Sequence, residues 1–283
     1  MKFSLRVCAL VAGAGLAASA QGALSFSGGT YSQNFDSLTN SGLATNAWAN
    51  DSTLPGWTVL QSGSGSVSGT RDNTATAVTN MRSDAGGSNA GAIYSWGAAG
   101  TPNSTERAFG SVSSGTPGDF AWCLILQNNT TDVLTSFTLS YNTEQWRQGG
   151  QSSGSPPVGT VQMQVLDYAT FVAAPTTADL AASNTAPYTA PGGNWDAVGP
   201  VATNATTGGA IDGNSTGLQT GRGGTAGITW NPGEFLVIRW WDDNNVGNDH
   251  GIGIDDLSFS ATPAPGALAL LGLGGLLAGR RKR

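Results

Sequence analysis

The chain has 283 residues, a formal charge of −6 and only 11% charged residues, well below the ~25% of an average globular domain. Nine tryptophans and several patterned apolar segments exclude a disordered chain. The acidic balance argues against nucleic acid and anionic lipid as partners, because a polyanion would be repelled.

The first twenty residues read as a secretory signal peptide. Lys2 and Arg6 give a positive start, Val7 to Ala17 is an apolar run, and Ala18-Ser19-Ala20 is a small-x-small site. Cleavage is expected after Ala20, by signal peptidase, leaving Gln21 at the new N-terminus. Cys8 lies early in the apolar run without the small-residue context of a lipoprotein, so no lipid anchor is expected. Cys123 is then the one remaining cysteine and has no partner for an internal disulfide. It sits within Phe120 to Leu126 and reads as a buried, inert thiol.

From residue 21 to 260 the chain reads as one all-β body, large enough for a single core. Strands are predicted at Ala92 to Trp96, Phe120 to Leu126, Val133 to Asn142, Phe235 to Trp241 and Ile252 to Phe259. In the third of these, Val133, Thr135, Phe137, Leu139 and Tyr141 share one face. Val161, Met163 and Val165 alternate with Gln162 and Gln164, so the valines and methionine are expected to face inward. Phe235 to Ile238 is apolar on both faces, which places it centrally in a sheet. The alternation slips by one residue between Ile254 and Leu257, the signature of a bulge. Helical signal is confined to Thr177 to Ala182, capped by Thr176 or Thr177. Ser62 to Gly69, Gly149 to Gly159 and Thr203 to Gly227 read as long loops. Many short strands with turn-rich connections predict a single antiparallel β-sandwich.

Several residues invite chemistry. His250 is the lone histidine, so any Ser-His-Asp catalysis must use it. Gly150-Gln151-Ser152-Ser153-Gly154 matches the Gly-x-Ser-x-Gly pattern but lacks the strand-then-helix context that presents such a serine. Glutamate is scarce, at Glu106, Glu144 and Glu234. Glu144 and Arg147 are expected to close a strand end as a salt bridge, with Glu144, Trp146 and Arg147 as the alternative sugar contacts. Asp242 to Asp249, followed by Asp255 and Asp256, is rich in oxygen ligands. Calcium is the cofactor this loop suggests, held by Asp242, Asp243, Asp249 and Asp255. The spacing is not that of an EF-hand. Trp240 and Trp241 are adjacent on a strand, so one faces the core and the other is exposed or loop-covered. Trp146, Trp195 and Trp230 lie in or beside loops, where an exposed ring would suit a pyranose. The sequons at Asn103 and Asn214 carry little weight in a chain so rich in these residues.

The C-terminus, residues 261–283, carries a second signal. Pro263-Ala264-Pro265 precedes Gly266 to Gly279, built only from Gly, Ala and Leu, and Arg280-Arg281-Lys282-Arg283 ends the chain. Fourteen helical residues span about 21 Å, short of a ~30 Å hydrocarbon core. Such a segment holds a precursor in a bilayer but is a poor permanent anchor, and the four cations place the tail in the cytoplasm. Without the two ends the body keeps six arginines against eighteen acidic residues, a net −12.

A proline motif, a short apolar helix and an Arg-rich terminus behind a signal peptide resemble the PEP-CTERM sorting signal. In that family the central residue is usually Glu, where this chain has Ala264. The resemblance implies cutting near the proline motif by an exosortase-type protease. It further implies transient anchoring in the inner membrane and delivery to the cell surface or extracellular matrix, with no catalytic role. The body resembles a jelly-roll, lectin-like domain of the concanavalin type. That likeness rests on Leu54-Pro55-Gly56-Trp57, Tyr141-Asn142-Thr143-Glu144-Gln145-Trp146-Arg147 and Asp249-His250-Gly251-Ile252-Gly253-Ile254-Asp255-Asp256-Leu257. An Ile-Asp-Asp-Leu-like closing strand is also similar to adhesion modules of the MAM type. A carbohydrate-binding module acting on exopolysaccharide is the alternative function, and a secreted glycoside hydrolase a further one.

Overall fold

The computed structural model describes residues 21–42, 45–63, 76–98, 105–151, 157–182, 186–204 and 208–264. The expected signal peptide, Pro265, the Gly/Ala/Leu segment, the Arg-rich end, Asn103 and residues 152–154 of the Gly-x-Ser-x-Gly match lie outside these. Among the described residues no helix is long and apolar enough to cross a membrane.

The described residues form strands β1 (Leu24–Phe26), β2 (Thr30–Gln33), β3 (Thr45–Ala47), β4 (Trp57–Gln61), β5 (Thr76–Ala77), β6 (Asn80–Asp84), β7 (Ala92–Trp96) and β8 (Ala108–Val112). They continue with β9 (Phe120–Asn128), β10 (Leu134–Gln148), β11 (Met163–Phe171), β12 (Ala197–Val198), β13 (Gly209–Ala210), β14 (Leu218–Trp230), β15 (Phe235–Asp242) and β16 (Gly251–Pro263). One short helix, α1 (Thr177–Ala181), carries a capping box in which Thr176 and Asp179 satisfy each other's backbone N–H. A seven-stranded sheet runs β12-β11-β15-β9-β4-β5, with β1 added beside β9. A nine-stranded sheet runs β13-β10-β16-β8-β7-β6-β3, with β14 also on β10 and β2 also on β16. The fold is all-β and sandwich-like.

The alternation of β9 and β15 explains the layers. Trp122, Leu124 and Leu126 on β9, with Leu236, Ile238 and Trp240 on β15, face the other sheet and join the main core. Their neighbours Cys123, Ile125, Val237 and Trp241 point outward, where Leu180 and Ala181 of α1 cover them. Trp240 is thus the core ring and Trp241 the covered one. Across the core Trp57 stacks on Trp240 at 5.8 Å and meets Phe109 edge-on at 5.7 Å. Each such pair contributes about 0.5–1.5 kcal/mol beyond the area it buries. Burial pushes the Cys123 thiol up to about 12, leaving it protonated and inert as expected.

Four expectations change. Two pairings, β1 with β9 and β6 with β7, are parallel, so the sandwich is mostly rather than wholly antiparallel. The return from β6 to β7 is made by residues 85–91, where Ser88 and the Ala90 carbonyl accept from the Tyr94 hydroxyl. Residues 218–230 form the long strand β14 rather than a loop. Its four glycines hid the strand pattern while permitting close packing: a Cβ on Gly223 (φ +104°) would lie 2.2 Å from the Leu139 carbonyl oxygen. On β11 the faces are reversed, with Met163 and Val161 exposed while Gln162 and Gln164 are buried. That end of the sandwich interior is polar, and Gln162 Oε1 accepts from the His250 backbone N–H at 2.6 Å. On β10 Leu134 is buried and Val133 exposed. A register irregularity between Leu134 and Ser136 moves Leu134 onto the face of Phe137.

The bulge forecast in the last strand is present. Ser140 pairs with Ser258 but Asn142 with Asp255, one extra residue on β16. Ile252 and Ile254 before it, and Leu257 and Phe259 after it, therefore all reach the core. β16 extends to Pro263, which pairs with Leu134.

One buried ion pair fastens the outer layer. Arg239 on β15 lies opposite Asp167 on β11 and donates from Nε and Nη2 to its two oxygens at 2.8 and 2.7 Å. Its Nη1 donates to the Leu180 and Ala182 carbonyls at 2.6 and 2.9 Å, holding the end of α1, and Tyr188 lies 3.7 Å over the guanidinium. Arg239→Ala leaves the Asp167 carboxylate buried without its cation and is expected to cost about 3–5 kcal/mol, measured by urea unfolding.

Candidate functional site

The bulge in β16 also organises a pocket of about 200 Å³ on the outer side of the nine-stranded sheet. It is lined by Asn34, Asp36, Glu106, Asn142, Glu144, Asn214, Leu218, Asp255 and Asp256. Asn142 and Glu144 stand two apart on β10 and so share its outer face. Across the ladder Asn142 pairs with Asp255. Asp256 takes the extra place of the bulge with φ +49°, and its Oδ2 accepts from Asn142 Nδ2 at 3.0 Å.

Two further segments close the pocket. Gln33 Oε1 accepts from the Phe35 N–H at the end of β2, in a turn where Phe35 has φ +54°. Asp36 Oδ1 then accepts from the Arg107 backbone N–H at 3.1 Å, setting Glu106 just before β8. On the other side Asn214 Nδ2 donates to Glu106 Oε2. Oxygens of Glu106, Glu144 and Asp255 all lie within 4.8 Å of one another.

Acids dominate the electrostatics of this group, with Arg107 as a cation in reach of Glu106 and Asp36. Glu144 is 2% exposed and Asp255 5%. Burial, then the neighbouring Glu106, pushes Glu144 up to about 8, against the Trp146 Nε1 donor that lies 2.9 Å from its Oε2. Burial likewise pushes Asp255 to about 9, with Glu144, Asp256 and Glu106 adding repulsion. Arg107 turns its guanidinium away to Ser83 and Ser95. None of the lining residues is cationic.

The four aspartates expected to share calcium are divided. Asp242 has Asp243 and Asp119 as its charged neighbours, and Asp249 has Asp242 and Asp119. Asp242 accepts from Ser111 Oγ, and Asp249 Oδ1 accepts from the Asn245 N–H at 2.9 Å. Asp255 instead faces Glu144 and Glu106. The predicted set joined residues close in sequence, whereas the bulge turns Asp255 toward β10. Glu106, Asp36 and Asn34 were missed because each is an ordinary polar residue beside a short strand. The slip in alternation was the one local signal that Asp255 and Asp256 occupy special positions.

The expected sugar-contact trio is likewise internal. Trp146 is buried in an outer cluster with Tyr94, Trp96, Ala108 and Val112, so its ring offers no stacking face. Arg147 Nη1 donates to the Gly86 and Gly87 carbonyls at 3.1 Å each, and among the described residues no ion pair joins it to Glu144. Gly86 is required there, because a Cβ would lie 1.8 Å from the Trp146 carbonyl oxygen. Trp230 is buried in the main core, and Trp195 is half-buried against Phe137 and Tyr168.

His250 is enclosed by neutral partners. Gln145 Nε2 lies 2.7 Å from Nδ1 and Thr203 Oγ1 3.2 Å from Nε2. With the Gln145 oxygen already accepting from the Val201 N–H, its amide donates to Nδ1 and the ring proton sits on Nε2.

No protein-family model matches the chain. No curated protein matches it either. Among solved structures it is similar to the enzymatically active domain of tailspike protein 4 of bacteriophage CBA120, at 10% identity with a TM-score of 0.33. The match covers 80% of this chain and 21% of that one, so the chain spans about a fifth of that protein's length. A likeness so distant assigns neither fold nor activity.

Burial holds His250 down at about 4, below the ~6.5 of an unfolded chain. The stability this contributes is complete above pH ~6.5 and is lost as pH falls toward 4, at most about 3 kcal/mol. His250→Gln is therefore expected to show a smaller loss of stability between pH 7 and 4.5 than the parent, by urea unfolding at each pH. Equal losses would contradict the assignment.

Proposed function

We propose that this is an exported, non-catalytic protein of the cell surface or extracellular matrix. Its body is a jelly-roll-like sandwich, and its tail is removed by an exosortase-type protease. The observation that carries this reading is the exit of the chain from the fold. Phe259 is the last core residue of β16, while Thr262, Pro263 and Ala264 are exposed. A protease acting at the proline motif would meet accessible chain and would remove nothing from the core. The non-catalytic part is supported by the bonding of the candidate groups: His250 lies between two neutral partners, and Trp146 and Arg147 are tied within the fold. The pocket around Glu144 is also below the ~300–1,000 Å³ typical of small-molecule sites and has no aromatic wall.

Intact mass measurement of the protein recovered from each cell fraction tests this. The expected surface form begins at Gln21 and ends near Pro263. A product that reaches its final compartment with Arg283 still attached would refute the sorting mechanism.

A further inference from the structure

Asp167, buried on β11, has Arg239 as its cation, and buried Asp242 and Asp249 have hydroxyl and backbone donors. In the pocket beside the β16 bulge three carboxylates converge with no Lys or Arg among the lining residues. A second observation concerns Asp255 alone. Its side chain lines the pocket about nineteen-twentieths buried, and its Oδ1 has no hydrogen-bond partner. An acceptor in that position normally costs free energy unless something binds it.

We propose that Glu106, Glu144 and Asp255 bind a calcium ion. Two oxygens on one calcium at about 2.4 Å are at most about 4.8 Å apart, so a trio within 4.8 Å of one another fits a single ion. Calcium takes 6–8 oxygens in irregular geometry, whereas magnesium demands a near-ideal octahedron. Asn34, Asp36, Asn142, Asn214 and Asp256 surround the trio with further oxygen-bearing side chains, an uneven set drawn from separate segments that suits calcium. The ion joins β10 and β16 to the turn before β8. It thereby clamps the strand that leads out of the domain to the centre of its sheet.

Calorimetric titration and thermal melting of the full-length protein with calcium chloride test the site, with magnesium chloride as a parallel arm. One ion is expected to bind with Kd at or below ~1 mM, and a hundredfold excess over Kd should raise the melting temperature by about 5–10 °C. Glu144→Gln and Asp255→Asn should weaken binding at least tenfold, yet melt in EDTA within a few degrees of the parent because each keeps the shape and one acceptor oxygen of the acid it replaces. Should either fail to fold, Glu106→Gln, less deeply buried, takes its place. Asp249→Asn, in the other acidic loop, should leave the response intact. No binding and no difference between calcium and EDTA would overturn the site. So would a full response in the trio variants, or loss of the response in Asp249→Asn. An equal or larger magnesium response would overturn calcium as the ion.

Discussion

The ladder between β10 and β16, with an extra residue on β16 at Asp256, is the constraint from which most of the molecule follows. Without the bulge, a strand with strict alternation could not bury both the Ile252–Ile254 pair and the Leu257–Phe259 pair. With it, both pairs enter the core, and the two strands stay hydrogen-bonded from Leu134 to Arg147. The same extra residue turns Asp255 toward Glu144. A packing requirement and an acidic pocket thus share one backbone irregularity.

The outer faces of the sheets are handled alike. A sandwich normally leaves one face of each sheet to water, but here both carry apolar and charged side chains that chain segments roof over. Over the seven-stranded sheet, α1 covers Cys123, Val237 and Trp241, and Arg239 ties it down. Over the nine-stranded sheet, Ser88 and the Ala90 carbonyl meet the Tyr94 hydroxyl, Gly213 lies against the Trp146 ring, and Arg147 holds the Gly86 and Gly87 carbonyls. In both places an arginine donates to backbone carbonyls at the end of, or outside, regular structure. This satisfies groups that would otherwise be costly to bury. It also explains why side chains that look fit for ligands, Trp146 and Arg147 above all, are spent on the fold.

The two acidic clusters differ in how their charge is met. Asp242 and Asp249 receive hydroxyl and backbone donors from their own neighbourhood. Glu144 and Asp255 face each other and Glu106 across a gap, with the Trp146 indole donating to Glu144, the Asn214 amide to Glu106 and the Asp256 backbone to Asp255. The first arrangement is that of a polar turn; the second resembles a socket.

Local pattern by itself determined the all-β class, the strands at β7, β9, β10, β15 and β16, the central place of β15, the capped turn at Thr176 and the slip in the final strand. Each of these is written in alternation or capping within about ten residues, and side-chain period and backbone donors act at that range. Tertiary structure alone decided that β11 turns its glutamines inward, that the glycine-rich stretch after Gly217 is a strand, and that Glu106 and Glu144 join Asp255. Those outcomes depend on which strand lies alongside which, and residues 106, 144 and 255 become neighbours only when β8 and β10 take opposite edges of β16.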